Sequence, residues 1–153
     1  MVGVIHSPAD IVRRALIALN LGSNPDAAGG PGAWPVYCDD EPNTPDNIIA
    51  VHDTSDGVEG GRVMQGEEIE YPGVQVKVRA KDHPTCYAKA SAIGDALQDL
   101  VRAQVTMPTP EATVYLLAWM KRRPFGYVGK EKPVSRRNII TINYYVSVRL
   151  DVA

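Results

Sequence analysis

No apolar run in this 153-residue chain is longer than seven residues, the stretch 114–120. A helix that crosses a membrane needs about 20, so no membrane partner is expected. The opening residues 1–7 carry no basic region ahead of an apolar segment, so no secretory signal is expected and synthesis in the cytoplasm follows. Cysteine is scarce: Cys38 and Cys86 lie far apart with no Cys-x-x-Cys spacing. That argues against a structural zinc site and a disulfide framework, and favours reduced thiols. His6, His52 and His83 are scattered and fit no metal-ligand spacing. Basic surplus is also missing. The formal net charge is −2, which speaks against wholesale coating of nucleic acid. Gly29, Gly30 and Gly32 precede no Lys-Ser/Thr pair at a helix start, so there is no phosphate-binding loop. No cofactor is expected.

What remains is an ordinary globular composition, 44% hydrophobic and 22% charged, with enough chain for one domain with a real core, spanning 1–153. Ser7-Pro8-Ala9-Asp10 reads as a helix start, with Ser7 as cap and Pro8 in the first turn. Ile11, Val12, Ala15, Leu16 and Leu19 follow at helical spacing, and Gly22 is the expected C-terminal cap. After a Gly/Pro-rich loop, 34–37 and 47–53 read as short strands. The segment 54–72 is glycine-rich and long for a loop, so it is expected as an extended arm or a protruding hairpin around Gln65-Gly66.

Val74, Val76, Val78 and Ala80 alternate with Gln75, Lys77 and Arg79, the period of a half-buried strand. Asp82-His83-Pro84 opens a second helix, with Tyr87, Ala90, Ile93, Leu97, Leu100 and Val101 as its expected buried stripe. Residues 113–121 predict a central strand and 124–133 a turn-rich return. A long strand with alternating Ile140, Ile142, Tyr144, Val146, Val148 and Leu150 closes the chain. Two amphipathic helices each need an apolar partner. An α+β (α/β) fold supplies it, with a mixed, mostly antiparallel sheet and both helices on one face.

The run Tyr71-Pro72-Gly73-Val74-Gln75-Val76-Lys77-Val78-Arg79 leads into a helix with Tyr87, Ala90, Ile93 and Leu97. That strand-helix pair, the ending Arg137-Asn138-Ile139-Ile140-Thr141-Ile142-Asn143-Tyr144-Tyr145-Val146 and the helix near residue 10 resemble the tail terminator (minor capsid) proteins of long-tailed bacteriophages. The resemblance covers most of the chain in element order. It implies a non-enzymatic virion protein of the tail and neck, made in the host cytoplasm. Six copies would form a ring that caps the tail tube protein, stops its polymerisation and meets the head-tail connector or stopper protein. Genomic DNA would pass through the opening without sequence-specific binding.

Charge is unevenly spread. Ten acidic residues lie between Asp39 and Glu70, opposed by Arg62, and eight basic residues lie between Lys121 and Arg149, opposed by Glu131. A ring joins unlike patches head to tail, and opposite charge on separate segments suits such a junction. The candidate interface residues are Arg122, Arg123, Arg136 and Arg137 on the basic side and Asp39, Asp40, Glu41, Glu67, Glu68 and Glu70 on the acidic side. Trp119 and Phe125, with Tyr127, would supply apolar area. The same runs could instead be solvated, or neutralise each other within one subunit. The arginines could touch DNA phosphate, or acidic groups could line the opening and repel DNA.

Cys86 near a helix start, three residues after His83, raises a nucleophile pair. A small buried side chain is the plainer reading, since no orienting partner is evident. Asp39-Asp40-Glu41 reads as a solvated turn rather than a cation site. Another neck component, an enzyme and a DNA-binding module are the competing functions.

Overall fold

The structure is a computed structural model describing residues 6–30, 32–62, 68–108, 113–122, 126–130 and 136–150. Helix α1 spans Pro8–Ala18. Ser7 caps it, its hydroxyl accepting from the Asp10 amide at 3.1 Å, and the Asp53 carboxylate takes the free Ala9 amide at 2.9 Å. The C-terminal stop differs from expectation. Asn20, at φ 58°, takes the left-handed position. The amides of Asn20 and Leu21 close back on the carbonyls of Ile17 and Leu16, the paired bonds of a Schellman cap. Gly22 is needed for close approach instead, since a Cβ there would collide with Val36 Cγ2 and lie 2.7 Å from the Trp34 carbonyl. It lets the loop after α1 press against the start of the next strand.

Strand β1 is Val36–Cys38, and β2 runs Ile48–Arg62. Strand β3 is Glu68–Ala80, antiparallel to β2 from Ile48↔Arg79 out to Arg62↔Glu68, with two register shifts on the way. The described part of the 54–72 segment therefore continues the β2–β3 ladder. Helix α2 spans His83–Gln98. Asp82 caps it, accepting from the Thr85 amide and hydroxyl at 2.9 and 2.8 Å, and these bonds hold its carboxyl below the ordinary value. Strands β4 (Ala103–Met107), β5 (Thr113–Arg122), β6 (Gly126–Lys130) and β7 (Asn138–Leu150) complete the chain.

Among the described residues the seven strands form one sheet in the order β1-β2-β3-β7-β5-β4, with β6 also on β7. The β1–β2 pairing is parallel and the others are antiparallel, so the sheet is mixed and mostly antiparallel. Strands β5 and β6 lie end to end along one edge of β7, against its residues 144–150 and 138–141. Strand β5, expected at the centre, sits between β7 and β4, and the middle of the sheet belongs to β3 and β7. The two short strands β4 and β6 were not foreseen.

Both helices cover one face. Val74, Val76 and Val78 of β3 and Ile140, Ile142 and Tyr144 of β7 share one buried cluster with Ile11, Val12 and Leu16 of α1 and Cys86, Ile93 and Leu97 of α2. The buried stripe of α2 is Cys86, Ala90, Ile93, Gly94 and Leu97. Tyr87 and Val101, expected inside, are exposed. Cys86 precedes Ala90, Ile93 and Leu97 by whole turns of the helix and shares their side, whereas Tyr87, one residue on, is turned about 100° away.

Gly22→Ala is expected to destabilise the fold by about 1–3 kcal/mol, because the added methyl meets a branched side chain and backbone rather than a flexible tip. Urea unfolding would show a lower midpoint at unchanged slope.

Candidate assembly surfaces

Period-two alternation puts Gln75, Lys77 and Arg79 on the sheet face opposite the helices. One end of that face is roofed by the chain's own acidic segment, residues 39–47. Arg79 is nearly fully buried and donates to three backbone carbonyls: Pro42 at 2.6 Å, Pro45 at 2.9 Å and Asp46 at 3.2 Å. Arg137, just ahead of β7, donates to the Asn43 carbonyl at 2.6 Å and its side-chain oxygen at 3.0 Å, and lies 3.6 Å from Asp46. Lys77 meets Glu41 at 2.6 Å. His52 stands 3.3 Å from Asp39 and 3.6 Å from Glu41. Beneath this roof Ile48, Ala50 and Ile139 are buried outside the main cluster.

The structure therefore distributes the candidate interface residues unevenly. Asp39, at φ 51°, and Asp40 are not enclosed by the core, while Glu41 and Arg137 are engaged within the subunit. Arg136 is exposed. Arg122 lies on β5 opposite Tyr144, and Trp119 opposite Ser147. Glu68 and Glu70 lie on β3 at the far end of the hairpin from Arg79, with Glu70 opposite Val148 of β7. Of these four only the strand positions are described. Arg123, Phe125 and Glu67 lie outside the described residues. The arginines that are described do not form one patch. Tyr144, opposite Arg122, is six residues of strand from Asn138, about 20 Å, and Arg137 is turned inward.

Tyr127, expected to supply apolar area at a junction, joins a cluster at the start of α2 whose other members were not expected there. The His83 ring stacks on Tyr87 at 6.2 Å and meets Tyr127 of β6 edge-on at 5.1 Å, and the Tyr127 hydroxyl donates to Asn138 at 3.0 Å. No sequence period points to it, since its members come from a helix turn and a five-residue strand with glycine at two positions.

The thiols are poorly suited to catalysis. Cys86 is fully buried and its thiol points at the carbonyls of Val78 and Asn138, at 3.3 and 3.6 Å. Burial pushes it up to about 11. The half-buried Cys38 is raised too, by burial first, with its contact to Ser7 pulling the other way. Among the described residues no group of three or more His, Cys, Asp or Glu is arranged to hold a metal ion. Nor is any helix there long and apolar enough to cross a membrane.

Residues 15–110 match the family described as "Bacteriophage tail terminator protein", which is more than half of the chain. The chain belongs to this family. It is a structural protein of the phage tail, the class that the strand-helix resemblance implied. Among solved structures, a chain from "Virion of native gene transfer agent (GTA) particle" is similar at 18% identity and TM-score 0.43, with 74% of this chain and 78% of that one covered. No match was found among curated proteins. The family match takes in the end of α1, the acidic roof, the β2–β3 hairpin, α2 and β4, and stops before β5 to β7.

Arg79→Met keeps most of the side-chain volume but leaves three carbonyls of the roof without a donor, so a loss of at least about 2 kcal/mol is expected in urea unfolding. For Cys86 the sign follows from its raised value. The folded state holds the proton longer than the unfolded state, so stability is full below about pH 9 and falls as pH rises toward about 11. Denaturation midpoints between about pH 8 and 11 should flatten in Cys86→Ala relative to the parent, and a maleimide reagent should label Cys38 before Cys86 in the native protein.

Proposed function

We propose that this chain is a single-domain tail terminator that works as one copy in a closed ring, six subunits in number, at the head-proximal end of the tail. The ring stops tail tube polymerisation, offers its other side to the head-tail connector or stopper, and lets genomic DNA pass without sequence-specific contact. The observation that carries this reading is the family match over residues 15–110.

The geometry agrees with it in two respects. One face of the sheet is covered by both helices and one end of the other by the acidic roof. Exposed residues are unlike at different places: Asp39, 3.3 Å from His52, and Asp40 at the start of the roof, and Arg136 ahead of β7. Heterologous rings need unlike patches on one subunit. The interface proposal is accordingly narrowed. Asp39, Asp40 and Arg136 stay in it, together with the strand positions Glu68, Glu70, Trp119 and Arg122, while Arg137 and Glu41 serve the subunit's own fold. Exposed pairs of this kind contribute about 0–1 kcal/mol each, so they set register, and apolar area must supply strength. A protonated, buried Cys86 gives no support to a thiol enzyme.

Deleting the gene from the phage tests the reading. Overlong or malformed tails beside normal, filled heads are expected, with normal length restored when the chain is supplied in trans. Leaking heads beside tails of normal length would contradict termination and point to a stopper.

A further inference from the structure

The ring reading leaves open which surfaces meet, and on that reading the two ends of α2 supply an answer. At its N-terminal end the aromatic cluster of His83, Tyr87 and Tyr127 is exposed in spite of its size. Tyr87 is 53% exposed, Tyr127 51% and the adjoining Val128 64%. Among the described residues β6, which carries two of these, pairs with β7 alone, so its other edge is open to a neighbour. The rim is basic. Lys130 and Ala80 flank Asn138 from the two sides of β7, which puts exposed Lys130 and Lys81 on strand ends either side of β7, with exposed Arg136 two residues before Asn138. Among the described residues Asp82, bound to its helix, and Asp46, 3.6 Å from Arg137, stand near this rim.

The other end of α2 has the opposite character. Asp95 and Asp99 are exposed and the last turn carries no basic residue, so the negative field of the helix terminus adds to theirs. Immediately beyond stands Val101, 75% exposed, with Arg102 as the opposing charge. The ends are about 24 Å apart along a 16-residue helix, too far to touch within one copy. A basic-rimmed aromatic patch and an acidic-rimmed aliphatic knob, on opposite sides of one subunit, form the unlike pair that a head-to-tail junction requires.

We infer that the acidic C-terminal end of α2, led by Val101, docks on the His83–Tyr87–Tyr127 patch of the next copy, with Asp99 facing Lys130. Aromatic side chains anchor such contacts through apolar area, and the charged rim fixes register. The basic, aromatic character of the patch would also suit single-stranded nucleic acid. The matching knob on the same chain favours a second copy.

The test uses the full-length protein and two exposed charge reversals, Lys130→Glu and Asp99→Lys, followed by sedimentation from micromolar to submillimolar concentration. Each variant alone should associate at least about tenfold more weakly than the parent, because the junction then sets like charges together. An equimolar mixture should recover parental association, since alternating copies again meet with opposite charge at each junction. Variants that associate like the parent, variants that mixing does not mend, or a parent that stays monomeric throughout would each overturn the docking. So would a single-stranded oligonucleotide that binds the parent tightly and is lost in Lys130→Glu. The tail-length phenotype is read separately, so a failure here leaves the terminator reading to be judged by itself.

Discussion

Arg79 is the residue on which the shape of the outer surface depends. A guanidinium cannot be buried without partners, because desolvating the charge costs several kcal/mol unless its donors are matched. The partners here are three carbonyls of residues 42–46. A single side chain on the middle of the sheet thus holds down a segment that would otherwise be a free acidic loop. Arg137 repeats the device one strand over. Together they tie residues 42–46 to the sheet, on the face where Ile48, Ala50 and Ile139 are buried.

With one face under the helices and part of the other under the roof, the described residues leave the two ends of α2 and the edge strands β1 and β4 for other molecules. A protein with unlike exposed ends is suited to serial contact with identical copies. The same economy explains why the thiols are quiet: Cys86 fills a small place between α2 and the sheet, where ionisation would set a charge in the core.

The strongest sequence periods translated directly. The alternations at Val74 to Ala80 and Ile140 to Val148 became the two middle strands, because a half-buried strand must repeat every two residues. Ser7 was legible as a cap, and Asp82-His83-Pro84 as a helix start, because helix starts leave amides that few side chains can satisfy. Residues 103–107 do alternate, with Val105 and Met107 buried, but a five-residue run ending at Pro108 is too short for the period to mark a strand. Residues 126–130 do not alternate, since Tyr127 and Val128 are both exposed. The α2 stripe holds at Ala90, Ile93 and Leu97 and fails at its two ends, Tyr87 and Val101, where a helix turns its side chains past the sheet. The inward role of Arg137 was not legible, since Asn43 and Asp46 stand more than 90 positions away in the chain. Linear charge counts carry no register.

Electron microscopy of virions carrying an electron-dense tag on this subunit bears most directly on the central claim. Density confined to one closed ring where the tail meets the head, with the symmetry of the tube below it, is the predicted result. Label spread along the tube, or found on the capsid shell, would contradict a subunit that meets its own copies around a single opening.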